Sequence, residues 1–85
     1  MAPAPPPAGS TVPPYPGLVQ AGSQGAAVLQ VQQRLRDRGW SVPVNGVFDG
    51  ATDGVLRNFQ SEKGLVADGK VGPLTWTALW RAPIT

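Results

Sequence analysis

Asp49 and Asp53 stand four residues apart, close enough to meet on one helical turn. Paired carboxylates can do glycosidase chemistry, with one protonating a leaving oxygen and the other attacking or activating water. That chemistry needs the two groups on opposite sides of the scissile bond, and a pair on one short helix cannot bracket it. Calcium fares no better. Asn45, Asp49 and Asp53 lack the D-x-D-x-D-G ladder and its terminal bidentate glutamate. The chain has no histidine and no cysteine, which removes Cys/His zinc sites, a Cys nucleophile, a Ser-His-Asp triad and any disulfide. No catalytic residue, metal ligand or cofactor is therefore expected. What remains is chemistry suited to holding a ligand.

Three tryptophans, Trp40, Trp76 and Trp80, are the first such residues. Indole faces stack on sugar C–H groups and peptide methyls, and the indole N–H donates a hydrogen bond. Trp40 follows a helix-ending glycine and is expected to lid the core with part of its ring exposed; Trp76 is expected half-buried. Trp80 lies four residues beyond Trp76, so the two rings share a helix face. Gln32 and Gln60 have two open readings: each amide satisfies the backbone of a neighbouring turn, or one faces a groove and bonds a sugar or peptide amide. Asn45 and Asp68 precede glycines, where such residues either bond their own turn or meet a ligand. Arg34, Arg36, Arg38 and Arg57 form either a solvated face or a strip attracted to a polyanion.

These residues need a scaffold, and 85 residues allow one small domain. Ser23 is placed to cap a helix whose apolar positions Val28, Val31 and Leu35 recur at intervals of three and four, ending at Gly39 after a cationic turn. Asp49 starts a second helix carrying Val55, Leu56 and Phe59, with its stop at Gly64. Gly72-Pro73 starts a third. The spacing predicts helices near 24–38, 50–63 and 73–80, no long strand, and therefore an all-α three-helix bundle. Between the helices, Asn45-Gly46 and Asp68-Gly69 are tight turns that open an internal repeat. Phe48 then matches Val71, and Thr52 matches Thr75. Gly54 falls inside the second helix, where glycine costs roughly 0.5–1 kcal/mol.

Residues 1–16 hold seven of the ten prolines and no charge. Their composition suits an extended, disordered Pro/Ala-rich linker before a domain spanning 17–82, with 83–85 as a tail. Met1 ahead of that run reads as the start of an excised fragment, and no signal-peptide pattern is present. A net charge of +2, with no Lys or Arg between 71 and 80, argues against nucleic acid. No apolar run approaches a membrane span.

The ordered set G-S-Q-G-A-A-V-L-Q-V-Q-Q-R-L at 22–35, G-W at 39–40, N-G-V-F at 45–48, Thr52, F-Q at 59–60, G-L at 64–65 and D-G-K-V-G-P-L-T-W-T-A-L at 68–79 resembles the three-helix peptidoglycan-binding domain appended to bacterial and phage cell-wall hydrolases. Asp49 and Asn45 depart from the glycine and aspartate usual there. The resemblance implies a non-catalytic, monomeric module that anchors a covalently linked upstream hydrolase or endolysin to bacterial peptidoglycan, outside the cell. Related modules also serve as pro-segments packed on their own catalytic domain, which is the alternative. Expected ligand contacts are Trp40, Asn45, Asp49, Arg57, Gln60, Asp68, Trp76 and Trp80.

Overall fold

The computed structural model describes residues 12–82. The expectations for residues 1–11 and for the tail at 83–85 lie outside the described residues. Three helices form where apolar spacing and stop signals coincide: α1 (Ala26–Asp37), α2 (Gly50–Glu62) and α3 (Pro73–Arg81). No strand accompanies them among the described residues, only isolated antiparallel bridges at Val19–Val71 and Gln24–Val47. Among the described residues no helix is long and apolar enough to cross a membrane.

Both helix ends foreseen at glycines are built the same way. The Trp40 amide reaches back to the Leu35 carbonyl at 2.9 Å, with Gly39 N–H on Arg36. At the end of α2, Leu65 N–H meets the Gln60 carbonyl at 2.8 Å, with Gly64 N–H on Ser61. These paired bonds satisfy carbonyls that a helix end otherwise leaves open. Asp49 caps α2 by accepting the Thr52 amide at 3.3 Å, and Pro73 occupies the first turn of α3.

The start of α1 differs from expectation. Its N-cap is Gly25, without a side-chain cap, and Ser23 Oγ instead accepts the Gln20 amide at 3.1 Å. The loop before α1 is pinned by backbone pairing: Gly25 N–H bonds Gly46 O at 2.9 Å, and Phe48 N–H bonds Ser23 O at 3.0 Å. A long-range ladder contact has replaced a local cap.

The arginine strip is also resolved into separate tasks. Arg34 donates to the Leu79 carbonyl at 2.7 Å and the Trp80 carbonyl at 3.2 Å. Arg38, itself buried, donates to Leu79 at 3.1 Å and Ala82 at 2.9 Å, and its guanidinium lies 5.1 Å from the Phe59 ring centroid. Two cations from the end of α1 thus close the carbonyl end of α3, where the helix dipole favours positive charge. Burial, and then the neighbouring Arg34, lower the Arg38 pKa. Arginine's ordinary value is high enough that it keeps its charge.

The core forms between these helices. Val28, Val31 and Leu35 meet Leu56 and Phe59 of α2 and Trp76 and Leu79 of α3, with Phe48 and Val71 dropped in from the two turns. Gly54 sits in α2, and a Cβ added there would meet nothing within 4 Å. Gly54→Ala is therefore expected to stabilise the domain by about 0.5–1 kcal/mol, seen as a Tm higher by a few degrees.

The N-terminal boundary moves. Residues 12–16 are docked on the domain: Val12 packs against the core, and Pro13 and Tyr15 hydrogen-bond to α3 and its preceding turn. The folded unit extends at least to Val12, five residues before the expected boundary at 17.

Candidate functional site

The first two helices each supply one glutamine that builds the turn leading into the next helix. Gln32 Oε1 accepts the amides of Asn45 and Gly46 at 3.0 and 2.8 Å. Its Nε2 donates to Asn45 Oδ1, the Val47 carbonyl and Thr52 Oγ1 at 3.2, 2.9 and 3.0 Å. Gln60 repeats the pattern one unit later. Its Oε1 accepts Gly69 N–H at 3.0 Å, and Nε2 donates to Asp68 Oδ1, the Lys70 carbonyl and Thr75 Oγ1 at 3.1, 2.9 and 3.2 Å. Both glutamines are fully buried. Each clamps an Asx-Gly turn from above and the first-turn threonine of the following helix from the side.

The turn residues close the clamp themselves. Asn45 Oδ1 accepts Val47 N–H at 3.0 Å, and Asp68 Oδ1 accepts Lys70 N–H at 2.9 Å. The Lys70 amide is the main cause that lowers the Asp68 pKa below its ordinary 3.8, with the Gln60 amide adding to it against a desolvation that raises it. A lowered carboxylate pKa gives stability that is present above the unfolded value and lost as pH falls through the folded one. Asp68→Asn, which copies Asn45, is expected to remove that part of the acid-side loss in unfolding curves recorded between about pH 5 and 2.

Gly69 suits its turn by its backbone conformation. Its φ is +72°, a conformation that L side chains rarely adopt, and a Cβ there would push aside the ends of the Asp53 and Arg57 side chains. Arg57 pairs with Asp53 at 3.0 Å and donates to the Ala67 carbonyl at 3.1 Å, so α2 lies tightly against the second turn.

The two repeats diverge on their outer surface. Beside the second turn a groove of about 290 Å³ opens at the start of α3. Its apolar walls include Leu18, Val66 and Leu74, which are 52%, 79% and 77% exposed. Asp68 and Lys70 flank the floor, which Gly72, Pro73 and Thr75 complete. Counting from each turn, Leu74 corresponds to Ala51, Lys70 to Val47, and Gly72 to Asp49. In the first repeat the Asp49 carboxylate caps its helix, whereas α3 starts at Gly72 with no side-chain cap. At these places the second repeat carries exposed Leu74 and Val66 with Lys70, where the first has Ala51, Pro43 and the exposed Val47. That volume lies just below the about 300–1,000 Å³ usual for ligand sites.

A second, shallower groove of about 390 Å³ lies between α1 and Trp80, bordered by Leu29, Gln33, Arg34 and Val44. Arg34 stacks over the Trp80 ring at 4.9 Å from its centroid, and Trp76 lies 5.8 Å away. The Trp80 indole N–H is buried without an acceptor.

The eight expected contacts do not converge. Asp68 alone borders the first groove, with Arg57 behind the same turn. Trp80 borders the second groove. Asn45 and Asp49 serve the first turn and the start of α2, and Trp40 packs partly buried against the core. Two expectations are corrected. Gln60 has no surface to offer, because its amide is spent within the turn. Trp76 is buried rather than half-exposed, with its indole N–H on the Pro13 carbonyl at 2.7 Å. Leu18, Val66, Lys70 and Leu74 were not among the expected contacts. The available signal was asymmetry between repeats, since exposed apolar residues stand in the second where the first has Ala51 and Pro43.

Known proteins share this fold. The family model described as "Putative peptidoglycan binding domain" matches residues 24–79. A zinc D-Ala-D-Ala carboxypeptidase of Streptomyces albus G is 36% identical over 70 residues, covering 79% of this chain and 28% of that protein. A spore cortex-lytic enzyme of Bacillus cereus is 39% identical over 66 residues, covering 76% of this chain and 26% of the enzyme. The crystal structure of the SleB N-terminal domain superposes with a TM-score of 0.76 at 38% identity, covering 80% of this chain and 94% of that one. The chain thus spans between a quarter and a third of the length of these two enzymes, and nearly all of an isolated N-terminal domain. The repeated glutamine clamps, the three helices and these matches together place the chain in the peptidoglycan-binding domain family.

Proposed function

We propose that this domain holds peptidoglycan by its stem peptide, performs no chemistry on it, and keeps an attached cell-wall hydrolase at its substrate. The observation that carries the choice of stem peptide is the gathering of Leu18, Val66 and Leu74 around the Asp68–Lys70 turn. A stem peptide offers methyl groups, amides and charged ends, and this groove offers apolar walls between a carboxylate and an ammonium. A glycan strand is better served by exposed aromatic faces, which are missing from this groove's lining. Tethering converts a second encounter of enzyme and wall into a local one, so modest affinity is sufficient. Action at the wall puts the working module outside the cell membrane.

Retention on purified sacculi, followed by NMR titration with a soluble stem tetrapeptide and with a peptide-free disaccharide, tests the reading. The expected result is retention above that of an unrelated protein of the same size, with amide shifts at Val66, Asp68, Lys70 and Leu74 caused by the tetrapeptide alone. Shifts caused by the disaccharide alone, centred on Trp80, would move the ligand to the other groove. Tight binding to a hydrolase catalytic domain with no retention on sacculi would favour the pro-segment alternative.

A further inference from the structure

Leu18 forms part of the groove wall yet lies before residue 24, where the family match begins. The segment that carries it is fastened at several points. Val12 packs against the core, and the Pro13 carbonyl accepts the Trp76 indole N–H at 2.7 Å. The Tyr15 hydroxyl donates to the Val71 carbonyl at 3.1 Å, and the Tyr15 ring meets Trp76 edge-on at 6.3 Å. Val19 then pairs with Val71, its carbonyl accepting the Val71 amide at 2.7 Å. Both gripped residues adjoin the groove: Val71 precedes Gly72 and Trp76 follows Thr75, and Gly72 and Thr75 line it. Leu18 sits between the Tyr15 and Val19 fastenings, an exposed leucine held in a fixed place.

We infer that residues 12–19 are a strap forming a working wall of the groove, with Pro13 and Tyr15 as positioning residues for Leu18. Docking of the strap and binding of the peptide favour one another. Val19 anchors one end of the strap in the core, while residues 12–16 are held by two hydrogen bonds, one edge-on aromatic contact and the packing of Val12, so that outer part opens more easily than the core. A peptide that touches Leu18 binds only the docked form. Its apparent affinity falls with the docked fraction, and by linkage the bound peptide raises that fraction. The inference rests on the stem-peptide reading of the groove.

The test uses the full 85-residue chain and a soluble stem tetrapeptide. Dissociation constants are measured by NMR for the wild type, Tyr15→Phe and Tyr15→Ala, and exchange of the Trp76 indole N–H is followed with and without the peptide. Tyr15→Ala is expected to bind about fivefold more weakly, and Tyr15→Phe to lose less. Saturating peptide is expected to slow indole exchange in the wild type. Equal affinity in all three proteins, or exchange indifferent to peptide, overturns the strap. Absence of binding to the wild type overturns the groove reading itself, a distinguishable result. If Tyr15→Ala melts too early to use, Tyr15→Phe and the wild-type exchange decide the matter.

Discussion

Gln60→Ala is expected to lower the stability of the domain by about 3–5 kcal/mol, enough to leave much of it unfolded at 37 °C. The estimate follows from what the amide leaves behind. Gly69 N–H, the Lys70 carbonyl and Thr75 Oγ1 all lose their Gln60 partner. A buried polar group left unpaired costs about 1–3 kcal/mol, and two or three such groups outweigh the apolar area lost with the side chain. A domain of this size holds only the lower part of the usual 5–15 kcal/mol. Gln60→Met, which keeps the volume, is expected to cost nearly as much, because the loss lies in hydrogen bonds rather than in packing. Gln60→Glu adds a sign. Its carboxylate can still accept Gly69 N–H, but its second oxygen faces the Lys70 carbonyl and the Asp68 carboxylate. Its deficit relative to wild type should therefore be larger at pH 7 than near pH 4, where the buried acid can carry a proton and donate. Gln32→Ala should behave like Gln60→Ala, since it clamps the equivalent turn. Urea unfolding followed by tryptophan fluorescence reads all four variants. A loss below about 1 kcal/mol for Gln60→Ala would mean that the turn holds itself.

The clamps also mark how far the sequence could be read. Local signals were sufficient for the helices, because apolar spacing, Asp49, Pro73 and the stop glycines act within one turn of chain. The Asx-Gly repeat was equally legible, since Asn45 and Asp68 bond amides two residues away. What local signals could not decide was which way a polar side chain turns. Gln60 looks the same on paper whether it faces solvent or the turn eight residues later, and only the folded chain brings Asp68, Lys70 and Thr75 around it. Arg34 and Arg38 read as a surface strip because their partners lie more than forty residues on, at the end of α3. The proline-rich composition of the N-terminal segment concealed Tyr15 and Pro13, whose contacts with Val71 and Trp76 span more than fifty residues. The candidate groove was hidden for a related reason. Exposed leucines and valines are common on protein surfaces, and three of them mean little until the fold sets them around one charged turn.

Leu74→Asp is expected to weaken binding to the stem tetrapeptide and to sacculi by about 10- to 100-fold while leaving stability unchanged or slightly higher. Leu74 is 77% exposed in the first turn of α3, so its removal opens no cavity. An aspartate there meets the positive end of an uncapped helix, where a carboxylate contributes about 0.3–1 kcal/mol of stability. Its effect on the ligand runs the other way. The groove loses the leucine's share of apolar burial, about 1.5–3 kcal/mol, and gains a negative charge beside Asp68 that repels any carboxylate approaching Lys70. Loss of binding by unfolding and loss by damage to the site are thereby separated in one protein. Ala51→Asp supplies the control, because residue 51 holds the same place in the first repeat, at the start of α2, away from the groove. It should share the neutral or favourable effect on stability and leave affinity at the wild-type value. If both variants bind as the wild type does, and Trp80→Ala does not, the ligand lies in the groove between α1 and Trp80. If Leu74→Asp and Ala51→Asp weaken binding equally, the cause is added negative charge over the whole domain rather than the wall of one groove. The exposed leucine of the second repeat is expected to separate these outcomes.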